Sequence, residues 1–221
     1  MKLSAKTISV LKNFSQINPS IVIKPGDVVE TMSPTKTIIA RASVPDKFPV
    51  QVPIYALNRF LSCLSLFEDP ELDFGKDSVK ITGKNNSIVY HYSEPSVIVV
   101  PPDKPLKLPS CDVECNVTNR DLQNVVKALG VLGLPEIALV GNGETIQLQA
   151  ADCSKQVSAD TYSIAVGETD SHFRAVFKPE NLKLIDGDYQ IKISQKGISQ
   201  FIGADCQYWV AIEAKSSQFS E

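Results

Sequence analysis

A proline-rich stretch near the middle of the chain is the feature that most constrains its fold. Residues 93–109 hold five prolines in seventeen positions. Because proline cannot donate a hydrogen bond to a β-ladder, such a stretch is typical of an extended connector rather than of a sheet interior. We therefore expect an N-terminal domain at 1–95, a connector at 96–109 with a short strand at Val97–Val100, and a C-terminal domain at 110–221.

The same order of elements occurs on both sides of this connector. Each half has an amphipathic helical segment near its start, then short β-type segments, then a helix opened by proline, then more strands. The expected helices are 4–17, 52–67, 118–132 and 178–185. This repetition predicts an internal duplication, with two helices on one face of a mainly antiparallel sheet in each half, which is an α+β fold.

The expected strands are β-branched or aromatic runs bounded by turn residues such as Pro25-Gly26 and Gly141-Asn142-Gly143. In the first half they are 21–23, 28–32, 37–44, 71–75, 78–83 and 87–92. In the second half they are 111–117, 136–141, 144–150, 157–166, 172–177, 188–194, 198–202 and 207–213.

The helix at 118–132 has two faces with different chemistry. The predicted core side comprises Leu122, Val125, Val126 and Leu129, and the polar side comprises Arg120, Gln123, Asn124 and Lys127. Thr118 and Asp121 resemble a capping box, which accounts for the one acid near this polar side. The helix at 4–17 repeats the pattern, with a core side of Val10, Leu11, Phe14 and Ile17 and no acid on its polar side.

Basic residues gather on or beside these four helices. Two acids lie beside them, Asp121 and Glu180, and both occupy a first helical turn. Taken alone, such faces could be ordinary solvated surfaces. Their repetition instead predicts a positively charged surface, formed by Lys2, Lys6, Lys12, Arg59, Arg120, Lys127, Lys178 and Lys183.

Composition excludes several classes of protein. Hydrophobic residues make up 43% of the chain and charged residues 21%, as in globular proteins, and no apolar run approaches the roughly 20 residues of a membrane span. The net charge of −3 argues against a broadly basic nucleic-acid coat protein. Five scattered cysteines fit free thiols in a reducing cytoplasm, and Lys6 and Lys12 interrupt any signal-peptide core.

An enzyme is the first competing class. Both histidines, His91 and His172, fall in expected strands without a nucleophile motif, a metal-ligand spacing or a phosphate-binding glycine loop. Cys111 and Cys115 are a close pair, but no further ligands accompany them. We therefore expect a protein that is not an enzyme and uses neither metal nor cofactor.

The chain resembles the DNA sliding clamps, specifically the trimeric clamps of T-even-type tailed bacteriophages. No single motif carries this resemblance, which rests on the order and spacing of five segments over essentially the whole chain. They are MKLSAKTISVLKNFSQIN at 1–18, PIYALNRFLSCLSL at 53–66, EPSVIVVPPDKPLKLP at 94–109, RDLQNVVKALGVL at 120–132 and KPENLKLIDGDYQIKI at 178–193.

The resemblance implies a head-to-tail homotrimeric ring that encircles duplex DNA and tethers the replicative DNA polymerase as a processivity factor. It further implies an ATP-driven clamp loader, late-transcription factors as additional partners, no membrane, and action in the host cell cytoplasm. The positively charged surface would then face DNA phosphates without reading bases. The chain departs from this pattern in the second and fourth helices, which are poor in basic residues.

The resemblance also implies two contact regions. Subunits would join through Ile88–Tyr92 and Val157–Ile164, with the interface residues Ile88, Tyr90, Tyr92, Val157, Ala159 and Tyr162. Partner peptides would enter a pocket near the connector and the chain end, lined by Val97, Ile98, Val100, Leu106, Ala211 and Ala214. The alternative function is a phage structural or assembly protein built from duplicated β-rich domains, which would require neither DNA nor a loader.

Overall fold

The computed structural model describes residues 1–104, 106–154 and 160–220, which form two compact units, Met1–Lys104 and Pro105–Glu221. The N-terminal unit contains helices α1 (Ala5–Ile17) and α2 (Leu57–Ser65). Its strands are β1 (Ile21–Ile23), β2 (Gly26–Met32), β3 (Ile38–Phe48), β4 (Val52–Ile54), β5 (Glu71–Phe74), β6 (Ser78–Thr82) and β7 (Ser87–His91). All its pairings are antiparallel: β1 with β4, β2 with β3, and β5 with β6 with β7.

Helix α1 packs on β2, β3 and α2. Its predicted core residues Val10, Leu11, Phe14 and Ile17 are all buried, which confirms the assigned periodicity. Two sets of hydrogen bonds hold the start of α1. The Ser4 hydroxyl accepts from the Thr7 amide, and the carboxylate of Asp46 on β3 accepts from the amide and hydroxyl of Ser4 and from the hydroxyl of Thr7. These bonds satisfy donors that a helix start leaves unpaired, and α1 begins within one residue of the predicted start at residue 4.

The C-terminal unit contains α3 (Asn119–Leu132) and two antiparallel sheets. Its strands are β8 (Val113–Val117), β9 (Glu136–Asn142), β10 (Thr145–Ala151), β11 (Tyr162–Glu168), β12 (His172–Phe177), β13 (Tyr189–Ser194), β14 (Ile198–Ile202), β15 (Cys206–Ala211) and β16 (Gln218–Phe219). One sheet has the order β8-β13-β14-β15, and the other has the order β11-β10-β9-β12-β16. Part of the predicted strand at 157–166 lies outside the described residues, since 155–159 are not among them.

Helix α3 packs on β9, β10 and β11, and its start matches the predicted capping box. The capping box of Thr118 and Asp121 is present. At the other end Gly133 takes a left-handed conformation with φ of 62°, and the Leu134 amide donates to the Leu129 carbonyl at 3.0 Å.

The prediction of a fourth helix at 178–185 is wrong. Only a 3-10 turn forms, at Pro179–Asn181. The backbone of Ile185 bonds to two tyrosine hydroxyls instead of to a helix: its amide donates to Tyr208 at 3.1 Å, and its carbonyl accepts from Tyr189 at 2.5 Å. These bonds to side chains, one from the nearby Tyr189 and one to the distant Tyr208, replace the backbone hydrogen bonds that a helix needs.

Three further expectations need correction. The connector stretch Val97–Val100 is not a strand, because a 3-10 turn at Pro95–Val97 precedes it and the Ile98 amide donates back to Pro95. The second helix begins at Leu57 rather than near Pro53, because Pro53 lies in β4, opposite Val22.

The third correction concerns Val126, which was predicted to lie in the core but is 54% exposed. Val126 faces the segment at 182–185, which is not helical among the described residues. In the described part of the chain, no helix is long and apolar enough to cross a membrane.

Candidate functional site

Three of the predicted basic residues lie on the two helices of the N-terminal unit. Lys6 and Lys12 are exposed on α1, and Arg59 is exposed on α2, which contacts α1. Helix α1 contains no acidic residue. This part of the predicted surface therefore exists as positive charge on two adjacent helices, with α2 contributing one cation.

Lys2 lies outside this helical surface. It precedes α1, and its ammonium forms an ion pair with the Asp69 carboxylate, which raises the pKa of Lys2. The Asp69 carboxylate therefore offsets the charge of the Lys2 ammonium.

In the C-terminal unit, Arg120 and Lys127 are exposed on α3 and make no ion pair among the described residues. The one acid on this helix, Asp121, accepts hydrogen bonds from the Thr118 hydroxyl at 2.6 Å and the Thr118 amide at 3.3 Å. Its charge is therefore used at the helix start, where it offsets the positive end of the helix dipole.

The other two predicted contacts in this unit are not on α3 but on the segment that follows β12. Lys178 is exposed and pairs with Glu213 at 3.6 Å. Lys183 is half-buried in the segment that was expected to be helical. The structure therefore does not place these two residues on a helical face, as the sequence had predicted.

The segment after the 3-10 turn leaves an open apolar cavity of about 310 Å³ beside α3. Its apolar lining includes Leu122 and Val126 from α3, Ile137 from β9, and Leu182 and Ile185. The cavity lies beside the segment that had been predicted to form the fourth helix.

The N-terminal part of the predicted subunit interface is an edge strand. Among the described residues, β7 pairs only with β6. Ile88 and Tyr90 are half-buried on the helix side of β7, opposite the buried Ile81 and Val79. The edge therefore presents unpaired backbone groups next to partly exposed apolar side chains, a combination that favours pairing with another strand.

Tyr92 follows β7 and is also half-buried. Burial, followed by the charge of Asp73, raises the pKa of Tyr92 to about 12. Its hydroxyl is buried without a hydrogen-bond partner among the described residues. The tyrosine therefore stays protonated at neutral pH.

The C-terminal part of the predicted interface is also an edge. Strand β11 ends the sheet order and pairs with β10. Tyr162 and Ile164 are half-buried and lie opposite the buried Ala150 and Leu148. Two other predicted interface residues, Val157 and Ala159, lie outside the described residues.

The predicted partner pocket is distributed over both units. Val97 and Val100 are exposed in the N-terminal unit, whereas Ile98 is buried. Leu106 and Ala211 are half-buried and Ala214 is exposed in the C-terminal unit.

The N-terminal unit has its own groove at the connector. A cavity of about 200 Å³ lies between the connector residues Val100 and Pro101 and the β1–β2 corner, which comprises Val22, Pro25 and Val28. Lys24, Glu30 and Arg41 complete its lining, and Arg41 pairs with Glu30 at 3.6 Å. A groove of this size accommodates one or two side chains.

Two residues near the predicted pocket were missed. Trp209 is two positions before Ala211 on β15 and so shares its face; it is 6% exposed, and its indole N–H has no partner among the described residues. Asn18 bonds to the Val99 carbonyl across 81 residues, which no local pattern could reveal. The lone tryptophan beside the expected pocket was a signal that could have been used.

The described residues contain no group of three or more His, Cys, Asp or Glu side chains arranged to hold a metal ion. His91 ends β7 and His172 begins β12, both exposed. The recognisable features are therefore surfaces for contact: basic helical faces, two apolar edges and a groove.

Comparisons with known proteins identify the family of the chain. A family model described as "DNA polymerase processivity factor" matches residues 2–100, and one described as "gp45 sliding clamp, C terminal" matches residues 114–214. The sliding clamp of Vibrio phage KVP40 is 37% identical to the chain, over 97% of this chain and all of the phage protein. The sliding clamp of Enterobacteria phage T4 is 31% identical, over 98% and 99% respectively.

The fold is shared more widely. An A. fulgidus PCNA structure, solved with the C-terminal region of FEN-1 bound, superposes with a TM-score of 0.67 at 12% identity, over 97% of this chain and 96% of that one. The α+β clamp fold is thereby confirmed, and the structural or assembly alternative is not favoured. The chain belongs to the sliding-clamp family of DNA polymerase processivity factors, alongside the clamps of T4-like phages.

Proposed function

We propose that three copies of this chain close head to tail into a ring that encircles duplex DNA in the host cytoplasm and tethers the phage replicative polymerase. The observation that carries this proposal is the combination of acid-poor basic helical faces with two apolar edge strands in a member of the clamp family. Its work is tethering, which needs no catalytic group.

DNA contact falls to Lys6, Lys12 and Arg59 in the N-terminal unit and to Arg120 and Lys127 in the C-terminal unit, all of which are exposed. Lysine and arginine attract phosphates without reading sequence, through release of condensed counterions. Lys2, Lys178 and Lys183 contribute less, because two are ion-paired and one is half-buried. A few weak contacts suit a protein that must slide.

The ring closes where β7 of one copy pairs with β11 of the next. Each strand ends its sheet among the described residues and carries half-buried apolar residues on the helix side of its sheet. If the strands pair, Ile88 and Tyr90 of one copy continue the apolar row of Tyr162 and Ile164 of the next. Pairing would also satisfy backbone groups that an isolated edge leaves to water.

Partner binding falls to the connector and its surroundings. In the related fold of A. fulgidus PCNA, the C-terminal region of FEN-1 is bound. In this chain Val97 and Val100 are exposed, and a groove lies between Val100 and the β1–β2 corner. Together they provide apolar surface for a short extended segment. We propose that the polymerase, the ATP-driven loader and late-transcription factors all bind this surface, one at a time.

The decisive experiment uses topology. Labelled protein is loaded with its ATP-driven loader onto nicked circular DNA, isolated by gel filtration, and the circle is then cut with a restriction enzyme. We expect the protein to stay on the circle and to leave within minutes after linearisation. Equal retention on circular and linear DNA would contradict encirclement, and a stable monomer in sedimentation at micromolar concentration would contradict the ring.

A further inference from the structure

A short apolar strip on the connector is exposed although its residues are strongly hydrophobic. Val97 is 60% exposed, Val99 36% and Val100 41%, whereas Ile98 between them is 6% exposed. Ile98 therefore anchors the stretch while the three valines face outward. Contiguous exposed apolar residues commonly mark an interaction site.

Asn18, at the end of α1, holds this strip in place. Its side-chain amide donates to the Val99 carbonyl at 3.3 Å and to the Met32 carbonyl at 2.8 Å. Asn18 is 2% exposed, so these bonds are largely shielded from water. An amide with two N–H donors is well suited to connect two carbonyl groups from distant parts of the chain.

The remaining polar groups of Asn18 are also satisfied. Its side-chain oxygen accepts from the Ser20 amide at 2.9 Å and the Ser20 hydroxyl at 3.0 Å. Its backbone N–H donates to the Phe14 carbonyl at 2.9 Å and closes α1. One residue thus joins the end of a helix proposed to face DNA, the end of β2 and the connector.

A second connection lies on the surface. The Lys24 ammonium contacts the Asp103 carboxylate at 2.6 Å, with both side chains well exposed. Val100 and Pro101 lie between the two connections and form one wall of the groove. The connector is therefore fixed on both sides of the residues that line the groove, once by a buried bond and once by an ion pair.

We propose that Asn18 is a positioning residue for partner binding: it presets Val97–Val100 and the groove wall to receive an extended apolar segment of the polymerase. The proposal rests on the partner surface described under Proposed function. A connector already ordered before binding loses less conformational entropy when the partner arrives, and preorganisation of this kind raises affinity without a new contact.

Asn18→Ala removes the buried connection. Thr7→Val is the matched control, because Thr7 is also a fully buried polar residue of the α1 region, at the opposite end, and bonds to Asp46 rather than to the connector. Lys24→Gln removes the exposed connection, together with one charge of the groove lining, and leaves no buried group unsatisfied. It therefore tests the connector even if Asn18→Ala folds poorly.

Two measurements are made on the full-length chain. Deuterium uptake is followed in peptides that cover 98–103, and affinity is measured by fluorescence anisotropy with synthetic 15-residue peptides that tile the phage DNA polymerase. For Asn18→Ala we expect faster uptake in this stretch and affinity weaker by about tenfold. For Lys24→Gln we expect a loss of about two- to threefold that disappears at high salt, and for Thr7→Val neither change.

The outcomes separate the two proposals. If a polymerase peptide binds the wild type and binds Asn18→Ala and Lys24→Gln equally well, Asn18 is structural and this inference is overturned, while the partner surface stands. Equal loss in Thr7→Val would overturn it as well, because general destabilisation would explain the effect. If no peptide binds the wild type, the partner surface fails and the inference fails with it.

Discussion

The ring of Tyr90 on β7 meets the ring of Phe60 on α2 edge to face, with centroids 5.3 Å apart and planes at 71°. The Tyr90 hydroxyl also donates to the Ala56 carbonyl at 3.2 Å. Helix α2 therefore fixes the edge strand β7 from one side within a single copy. A strand already held in an extended conformation can pair with a second copy at a lower entropic cost.

Ile88→Lys should disrupt ring assembly and leave the fold intact. Ile88 is only half-buried, so a lysine can reach water in the isolated chain, but in a joined edge its charge would be desolvated. We expect the dissociation constant of the ring to rise at least about tenfold, or ~1.4 kcal/mol. Sedimentation velocity over a dilution series measures this change.

The matched control is Thr82→Lys, which adds the same charge at an exposed position of the adjacent strand β6. It should assemble as the wild type does. A trimer that persists in Ile88→Lys at nanomolar concentration would rule out β7 as a joining edge.

Removing positive charge from the helical faces should lower processivity but not assembly. The variant combines Lys12→Ala, Arg120→Ala and Lys127→Ala, three exposed residues on α1 and α3. When the logarithm of DNA affinity is plotted against the logarithm of salt concentration, each lost phosphate contact should make the slope shallower by about 0.9. Processivity is read from product length in loader-dependent primer extension at several salt concentrations.

A variant with Lys80→Ala, Lys84→Ala and Lys196→Ala removes the same charge from exposed positions outside the helices. It should retain the processivity of the wild type. If both triple variants lose processivity equally, overall charge rather than the helical faces is responsible.

Asp46→Asn should flatten the dependence of stability on acid pH. Burial alone would raise the pKa of Asp46, but hydrogen bonds from Thr7 and Ser4 outweigh it and the pKa lies below its usual value of 3.8. Because the folded-state pKa is the lower one, the stabilisation is complete above the unfolded value of about 3.9 and is lost as pH falls through the folded-state pKa.

At neutral pH we expect Asp46→Asn to cost about 1–2 kcal/mol of unfolding free energy, as for other helix-start contacts. Urea unfolding between pH 7 and pH 3 measures the difference, which should shrink towards the acid end. A difference that is constant with pH would mean that the carboxylate charge does not stabilise α1.

Tyr189→Phe should destabilise the segment that replaces the fourth helix. The Tyr189 hydroxyl donates to the Ile185 carbonyl at 2.5 Å, and its removal leaves that carbonyl without this donor. We expect a loss of about 1 kcal/mol in urea unfolding. Tyr55→Phe, at a tyrosine that is 63% exposed, should change stability by much less; equal losses would contradict a specific role for the Ile185 contact.

The sequence was most informative where structure depends on near neighbours. The core of α1, the capping box of Thr118 and Asp121, and the hairpin turns are all set within a few residues, and each formed as predicted. The 178–185 segment has a proline start and apolar spacing as well, but tyrosines on β13 and β15 take up its backbone groups. A pattern confined to residues 178–185 cannot register the hydroxyl of Tyr208, which comes from a later strand.

In the candidate surfaces, too, the sequence predicted what depends on near neighbours and missed what depends on distant residues. Helical periodicity correctly placed Lys12, Arg120 and Lys127 on exposed faces, because exposure follows from spacing alone. It could not show that Lys2 pairs with Asp69, 67 residues away, or that Asn18 reaches Val99. The resemblance to a family supplied the order of strands, and that order placed the described interface residues on or next to edge strands.

The bond between Asn18 and Val99 also bears on when the N-terminal unit can fold during synthesis. The two residues are 81 positions apart, so the bond cannot form until the ribosome has made and released the connector. At about 5–20 residues per second, translating that interval takes about 4–16 s. For those seconds one side-chain N–H of the buried Asn18 lacks its partner carbonyl on the connector. The end of α1 therefore reaches its final hydrogen bonding only after the whole N-terminal unit has been synthesised.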